Sequence, residues 1–242
     1  MKQKCWAACL EECDEKISRE HTISACLFES PEVIVQGFPW CLDKPKTVGL
    51  ANLVSKILCK KHNSMLTDVD SAALQAFSVF RQLVHLNNAR ENIFLRKGSK
   101  WTIRHFRIDG PLLERWFLKT LINVAVGGNL KIGPEAASAS MPSCELVQIA
   151  FGRRSFQEWA GMYTSAYQGQ QIHSRDGIRV IPVAKEDYIA GARFEFHGYN
   201  FYLNLLPMRF HKDGDSDLLY RNATFKCVLR QQLSHIVRIR GW

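Results

Sequence analysis

Long apolar runs are missing from this 242-residue chain, and none approaches the ~18–20 apolar residues that a membrane-spanning helix needs. The first residues also lack the apolar core of a secretory signal peptide. Internal repeats and low-complexity tracts are absent, which excludes a solenoid and a linker-like chain. A glycine-rich phosphate loop and a βαβ nucleotide-binding pattern are absent too. We therefore expect a globular, intracellular protein of the cytoplasm with no membrane partner.

The charge balance is basic, because 32 lysines and arginines stand against 23 aspartates and glutamates, for a formal net charge of +9. Such a charge attracts polyanions, since neutralising their phosphates releases condensed counterions. The alternative is that a basic composition only aids solubility. We expect nucleic acid as the partner, with DNA preferred over RNA; an oligomer or a larger protein complex also fits this composition.

Cysteines are concentrated near the N-terminus: six of the eight lie within the first 59 residues. In a reducing compartment such residues are thiols or metal ligands more often than disulfides. Cys59 and His62 have the C-x-x-H spacing of a pair of zinc ligands. The other pair must come from Cys5, Cys9 and Cys13, among which we favour Cys5 and Cys13, with Cys9 as the substitute. The alternative is a set of buried free thiols without a metal.

Apolar periodicity divides the rest of the chain into helices and strands. Helical spacing predicts helices over residues 50–66, 72–86 and 112–126, the last ended by a Gly-Gly pair. A strand is expected over residues 144–151 and a short helix around residues 156–163. With several further strands, these elements predict an α+β fold in which helices pack on a mostly antiparallel sheet.

A second motif, Ser18-Arg19-Glu20-His21-Thr22-Ile23-Ser24, lies between the two proposed pairs of zinc ligands. An acidic residue followed directly by His on a strand, and a later helix that opens with a zinc ligand followed by Asn63, resemble the HNH (ββα-metal) endonuclease family. Asn52 resembles the asparagine that precedes the second zinc pair in that family. The resemblance covers roughly residues 5–70, and the remainder of the chain resembles no family that we recognise.

The resemblance implies a metal-dependent hydrolase that cuts phosphodiester bonds in DNA or RNA. His21 would be the general base that activates water, and Glu20 and Asn63 would hold a catalytic divalent ion such as Mg²⁺ or Mn²⁺. Asn52 would orient the His21 ring. It further implies a zinc-stapled ββα-metal module over residues 1–70, with structural Zn²⁺. Residues 71–242 would form an α+β domain that selects the target or mediates assembly.

Two departures from the family pattern leave other interpretations open. The gap between His21 and Asn52 requires an insertion, which residues 28–46 can supply. Thr67 stands where family members often place a second helix ligand, and Asp68 or Asp70 is the candidate replacement. One alternative is a catalytically inactive zinc-knuckle protein that binds nucleic acid or a protein. Another is a regulatory subunit in a larger complex, such as a phage defence system.

Overall fold

The computed structural model describes residues 5–38, 40–41, 44–91, 104–136, 138–165, 177–207, 218–229 and 233–242. Its helices are α1 (Lys60–Ser64), α2 (Thr67–Glu91), α3 (Gly110–Gly127) and α4 (Cys144–Ala150). Its strands are β1 (Glu20–His21), β2 (Glu32–Gln36), β3 (Lys46–Gly49), β4 (Val54–Ser55), β5 (His105–Asp109), β6 (Gly161–Ser165), β7 (Gly177–Lys185), β8 (Tyr188–Phe196), β9 (Tyr199–Asn204), β10 (Leu218–Tyr220), β11 (Thr224–Leu229) and β12 (Leu233–Arg240).

Helix α3 is buried along most of its length. Its start is set by Asp109, whose carboxylate accepts a hydrogen bond from the Leu112 N–H at 2.9 Å, and by Pro111 in the first turn. Gly127 and Gly128 end it, so the helix predicted over residues 112–126 is confirmed. A helix that is apolar nearly all round must be covered by other elements, and α2 packs against it from one side. None of the helices in the described ranges is long and apolar enough to cross a bilayer.

Most strands belong to a seven-stranded sheet with the order β10-β6-β9-β8-β7-β2-β3, in which only the β2–β7 pair is parallel. A three-stranded sheet has the order β11-β12-β5, and β1 pairs with β4 separately. Phenylalanines of the large sheet pack against the helices: Phe194 contacts Phe117 of α3, and Phe196 stacks on Phe77 of α2. An α+β fold with helices on a mostly antiparallel sheet is confirmed.

The predicted module over residues 1–70 is built into the rest of the fold. Strands β2 and β3, from the expected insertion between His21 and Asn52, form one edge of the seven-stranded sheet. The predicted boundary at residues 70 and 71 lies inside α2, and a single apolar core contains both Trp6 and Val237. The division into two domains stays a prediction.

Three local predictions were wrong. Residues 50–58 form no α-helix, because their backbone pairs with the segment around β1; the Thr22 N–H, for example, donates to the Leu53 carbonyl at 2.8 Å. Residues 144–150 are helical rather than extended, since the Ser143 hydroxyl accepts from the Leu146 N–H and caps α4. The helix expected around residues 156–163 does not form, because Trp159 has left-handed backbone with φ of 66° and β6 begins at Gly161.

Candidate functional site

Backbone pairing brings the two halves of the cysteine motif together. Residues 16–22 run antiparallel to residues 53–60, with the Ser18 N–H donating to the Leu58 carbonyl at 2.8 Å and the Lys60 N–H to the Lys16 carbonyl at 3.0 Å. The Trp6 N–H donates to the Ile57 carbonyl at 2.9 Å, which draws the N-terminal segment alongside. The segment that begins with Cys5 therefore lies beside the start of α1.

Four side chains converge at this point: those of Cys5, Cys13, Cys59 and His62, whose ligand atoms all lie within 4.8 Å of one another. The His62 Nδ1 atom is 3.4, 3.6 and 3.3 Å from the sulfurs of Cys5, Cys13 and Cys59. Bonds of about 2.3 Å to sulfur and about 2.0 Å to nitrogen at tetrahedral angles would place S and N about 3.5 Å apart. This Cys3His cluster can hold a metal ion.

The cluster is the predicted one, with Cys5 and Cys13 as its first pair. Cys9, the predicted substitute, lies outside it: Cys9 is exposed, and its carbonyl oxygen is 3.8 Å from the sulfur of Cys144, at the start of α4. The seven cysteines whose side chains are described are free thiols. The interpretation as buried thiols alone does not fit Cys13, which is exposed and nevertheless faces His62.

Electrostatics differ among the four ligands. Burial raises the pKa of Cys5 to about 12, and burial also raises the pKa of Cys13. At Cys59 burial opposes ionisation, but hydrogen bonds from the backbone N–H groups of His62 and Asp14 outweigh it and lower the pKa. Burial, reinforced by nearby Arg153, lowers the pKa of His62, which favours the neutral imidazole that a metal requires.

Glu20, predicted to hold the catalytic ion, is buried and has a different partner. Its Oε1 atom lies 2.7 Å from the Lys119 ammonium, and both Asp70 carboxylate oxygens lie 2.9 Å from the same nitrogen. Lys119 is 1% exposed. Burial opposes its charge, but the two carboxylates outweigh that effect and raise the pKa of Lys119. An ammonium ion therefore occupies the space between two acidic residues that the family resemblance associates with a metal.

One face of α3 holds the strand that carries His21. Trp116 Nε1 donates to the Ser24 hydroxyl at 3.0 Å, and Asn123 Nδ2 donates to the His21 carbonyl at 3.3 Å. With Lys119, these residues stand at i, i+3 and i+7, so they share one face of the helix. Sequence reasoning missed all three. The signal was present, since Lys119 and Asn123 are polar residues inside an otherwise apolar helix, but their partners are distant in sequence.

The remaining predicted catalytic residues are near in sequence to the cluster but are not joined to one another. His21 is half-buried on β1, Asn52 is exposed in a 3₁₀ turn (Leu50–Asn52), and Asn63 is half-buried in α1. No hydrogen bond joins the side chains of these three described residues. Asn52 lines a cavity of about 170 Å³ together with Ser55. The three residues belong to one strand–strand–helix unit, but hydrogen bonds between their side chains do not link them.

The position of the expected second helix ligand has a structural role. The Thr67 hydroxyl donates to the Ser64 carbonyl at 2.7 Å at the start of α2. Asp68 is exposed in the first turn of that helix, whereas Asp70 is bound to Lys119. Of the two candidate replacements, only Asp70 lies beside Glu20.

Comparison of the chain with protein-family models, with curated proteins and with solved structures finds no match. The resemblance to HNH endonucleases therefore depends on the motif and on the geometry described above.

Proposed function

We propose that the chain is a metal-dependent endonuclease of the HNH type that hydrolyses phosphodiester bonds in DNA or RNA. One observation carries the proposal. The strand with His21 pairs antiparallel with β4, and the chain then passes through Cys59 into a helix whose first turn contains His62 and Asn63. This is the ββα order that the motif implies, and the Cys3His cluster lies at its junction.

The ion proposed for the cluster is structural Zn²⁺. Three sulfurs and one imidazole form a closed donor set that suits zinc and leaves no position for a substrate. The described sulfur–nitrogen separations of 3.3–3.6 Å match a tetrahedral site. In this role zinc stabilises a region of short elements, because α1 has five residues and β1 and β4 have two each.

His21 is proposed as the general base. Its imidazole would accept a proton from water as the water oxygen attacks phosphorus and the bond to the leaving oxygen breaks. A divalent ion, when bound, supplies charge neutralisation at the scissile phosphate. Glu20 and Asn63 are the residues that the resemblance assigns to that ion. In the structure Lys119 bonds to one oxygen of Glu20, so the second carboxylate oxygen is the one that would bind the divalent ion.

The test is cleavage of plasmid DNA and of RNA by the full chain with Mg²⁺ or Mn²⁺, comparing wild type with His21→Ala. We expect the rate to fall by roughly 10²–10⁴-fold, the usual contribution of a general base. His85→Ala is the matched control, because His85 is exposed on α2. Zinc content and thermal unfolding of both variants should remain at the wild-type values. Equal cleavage by wild type and His21→Ala would remove His21 from the mechanism.

A second candidate function, a zinc-stapled protein that binds nucleic acid without cutting it, is favoured by the ion pair of Glu20 with Lys119. A carboxylate engaged by a buried ammonium is less available to a divalent ion. The discriminating experiment places a salt titration of binding beside the cleavage series. Binding that weakens with salt while neither DNA nor RNA is cut with any divalent ion would select this second function.

A further inference from the structure

In the three-stranded sheet, β5 and β12 turn one face toward the core and the other toward solvent. Strand β12 pairs in parallel with β5, and the register places Arg238 beside Arg107. Val237 and Ile239, which alternate with the arginines, are buried, and β12 and β5 both contact α3. Because side chains alternate along a strand, the arginines project from the opposite face.

We call this opposite face the basic face and define it by His105 and Arg107 of β5 and Arg238 and Arg240 of β12. All four residues are exposed. They come from segments about 130 positions apart in the sequence and are brought together only by the β5–β12 pairing. The acidic residue beside them, Asp109, accepts the Leu112 N–H that starts α3.

Among the described residues, the arginines of this face have no acidic partner. Within the part of the chain that the structure describes, no carboxylate forms an ion pair with Arg107, Arg238 or Arg240. Like charges on adjacent strands are unfavourable for the isolated fold. The seven-stranded sheet is arranged differently, since Arg179 of β7 lies opposite Glu195 of β8 and its Nη1 atom is 3.3 Å from the carboxylate. Uncompensated charge is therefore a property of the basic face.

We propose that the basic face binds the phosphate backbone of double-stranded DNA. The partner's identity rests on the proposed function, but the charge and exposure of the face do not. Guanidinium groups form paired hydrogen bonds with phosphate oxygens, and arginines on neighbouring strands can contact successive phosphates. Single-strand binders add aromatic side chains on which bases stack. None of the four residues that define the basic face is a phenylalanine, tyrosine or tryptophan. Phe106 lies on the alternate side of β5, and the exposed ring of Trp242, beyond Arg240, already packs beside Gly110 and under the Arg221 guanidinium. This composition favours a duplex.

The test measures binding of a labelled DNA duplex across a salt series, without added divalent ions, so that the readout does not depend on cleavage. For the double variant Arg107→Gln/Arg238→Gln we expect the slope of log Kobs against log salt to become shallower by about 2, or about 1 for each phosphate that is no longer neutralised. Affinity should fall roughly 10- to 100-fold at about 0.1 M salt. Arg107→Lys/Arg238→Lys, which keeps both charges, should retain the wild-type slope.

Lys44→Gln/Lys185→Gln is the matched control, because it also removes two exposed positive charges. Lys44 precedes β3 and Lys185 ends β7, so both belong to the seven-stranded sheet or its connections rather than to the basic face. It should leave the slope unchanged. An equal decrease in affinity in both glutamine variants, or an unchanged slope in the arginine variant, would overturn the proposal. Tighter binding of single-stranded DNA or RNA than of duplex would overturn the assignment to a duplex. The cleavage series with His21→Ala decides the nuclease proposal separately.

Discussion

The Cys3His cluster and the residues proposed for catalysis belong to the same strand–strand–helix unit, yet they are assembled to different degrees. The ligand atoms of the four cluster residues lie within 4.8 Å of one another, and four donors fill a tetrahedral site. His21 and Asn63 share no side-chain hydrogen bond, and Glu20 is already bound to Lys119. The four metal ligands are therefore already assembled in the folded chain, whereas the residues proposed for catalysis are not.

The difference follows from what each set must do. A structural metal site stabilises the fold, so its ligands must converge in the folded chain itself. Catalytic groups need to converge only around substrate, and their hydrogen bonds are often long or absent beforehand. The contacts that hold β1 in place are already formed, because Trp116, Lys119 and Asn123 of α3 bind Ser24, Glu20 and the His21 carbonyl. We call these contacts the support of β1. The support and the cluster can therefore be tested independently of activity.

Removing a cluster ligand should have the largest effect. Cys59→Ser takes away a ligand and also the sulfur that accepts the His62 N–H at the start of α1. We expect loss of bound zinc and a decrease in the free energy of unfolding of about 5 kcal/mol or more, because metal binding energy is folding energy in such sites. Elemental analysis and denaturant unfolding measure the two quantities.

Cys9→Ser is the control for this variant, since Cys9 is exposed and faces Cys144 rather than the cluster. It should retain zinc and wild-type stability. If Cys9→Ser lost zinc as completely as Cys59→Ser, the ligand set would be wrong and the contrast between the two regions would disappear.

Breaking the support beneath β1 should have the next largest effect. Lys119→Met leaves the buried carboxylate of Glu20 and the half-buried carboxylate of Asp70 without their counter-charge, and the loss of one partner of a buried pair costs about 3–5 kcal/mol. Lys131→Met is the control, because the ion pair of Lys131 with Asp187 is on the surface and contributes about 0–1 kcal/mol. Urea unfolding measures the decrease in the free energy of unfolding for each variant. Similar decreases for Lys119→Met and Lys131→Met would show that the ion pairs of Lys119 with Glu20 and Asp70 add little stability.

The raised pKa of Lys119 adds a pH dependence to that experiment. Its pKa in the folded chain lies above the ordinary 10.5, since Glu20 and Asp70 outweigh the effect of burial. The stabilisation is therefore fully present below pH 10.5 and is lost as the pH rises through the folded value. As the pH is raised from neutral, the stability gap between wild type and Lys119→Met should stay constant up to about pH 10.5 and narrow above it, and narrowing that begins below that value on the alkaline side would contradict the assignment.

The metal cluster could be predicted from the sequence because its spacing is local: Cys59 and His62 are three residues apart, and Cys5 and Cys13 are the ends of one short segment. The fold class could be predicted for a similar reason, since periodicity and the Gly127-Gly128 stop are local signals. Helix α3 shows this well, as its cap at Asp109 and its end are both visible in the sequence.

The partners of Lys119 could not be predicted, because ion pairs between distant segments leave no local pattern. Asp70 is 49 positions away, and Glu20 is farther still. The wrong helix over residues 50–58 has a related cause: its apolar residues are buried by pairing with residues 16–22, and burial of a short segment produces a spacing that also fits a helix. Tertiary contacts, rather than local sequence preference, determine both the ion pairs of Lys119 and the conformation of residues 50–58.

The smallest predicted effect belongs to Asn52. The side chain is exposed and has no hydrogen bond to His21, so Asn52→Ala should change the free energy of unfolding by no more than about 0.5 kcal/mol. For the same reason we expect cleavage to fall less than about tenfold, below the range for residues that orient a catalytic histidine. Single-turnover cleavage beside His21→Ala measures the difference. A decrease as large as that of His21→Ala would mean that Asn52 moves onto the histidine when substrate binds, and that the catalytic set is completed by the nucleic acid rather than left open by the fold.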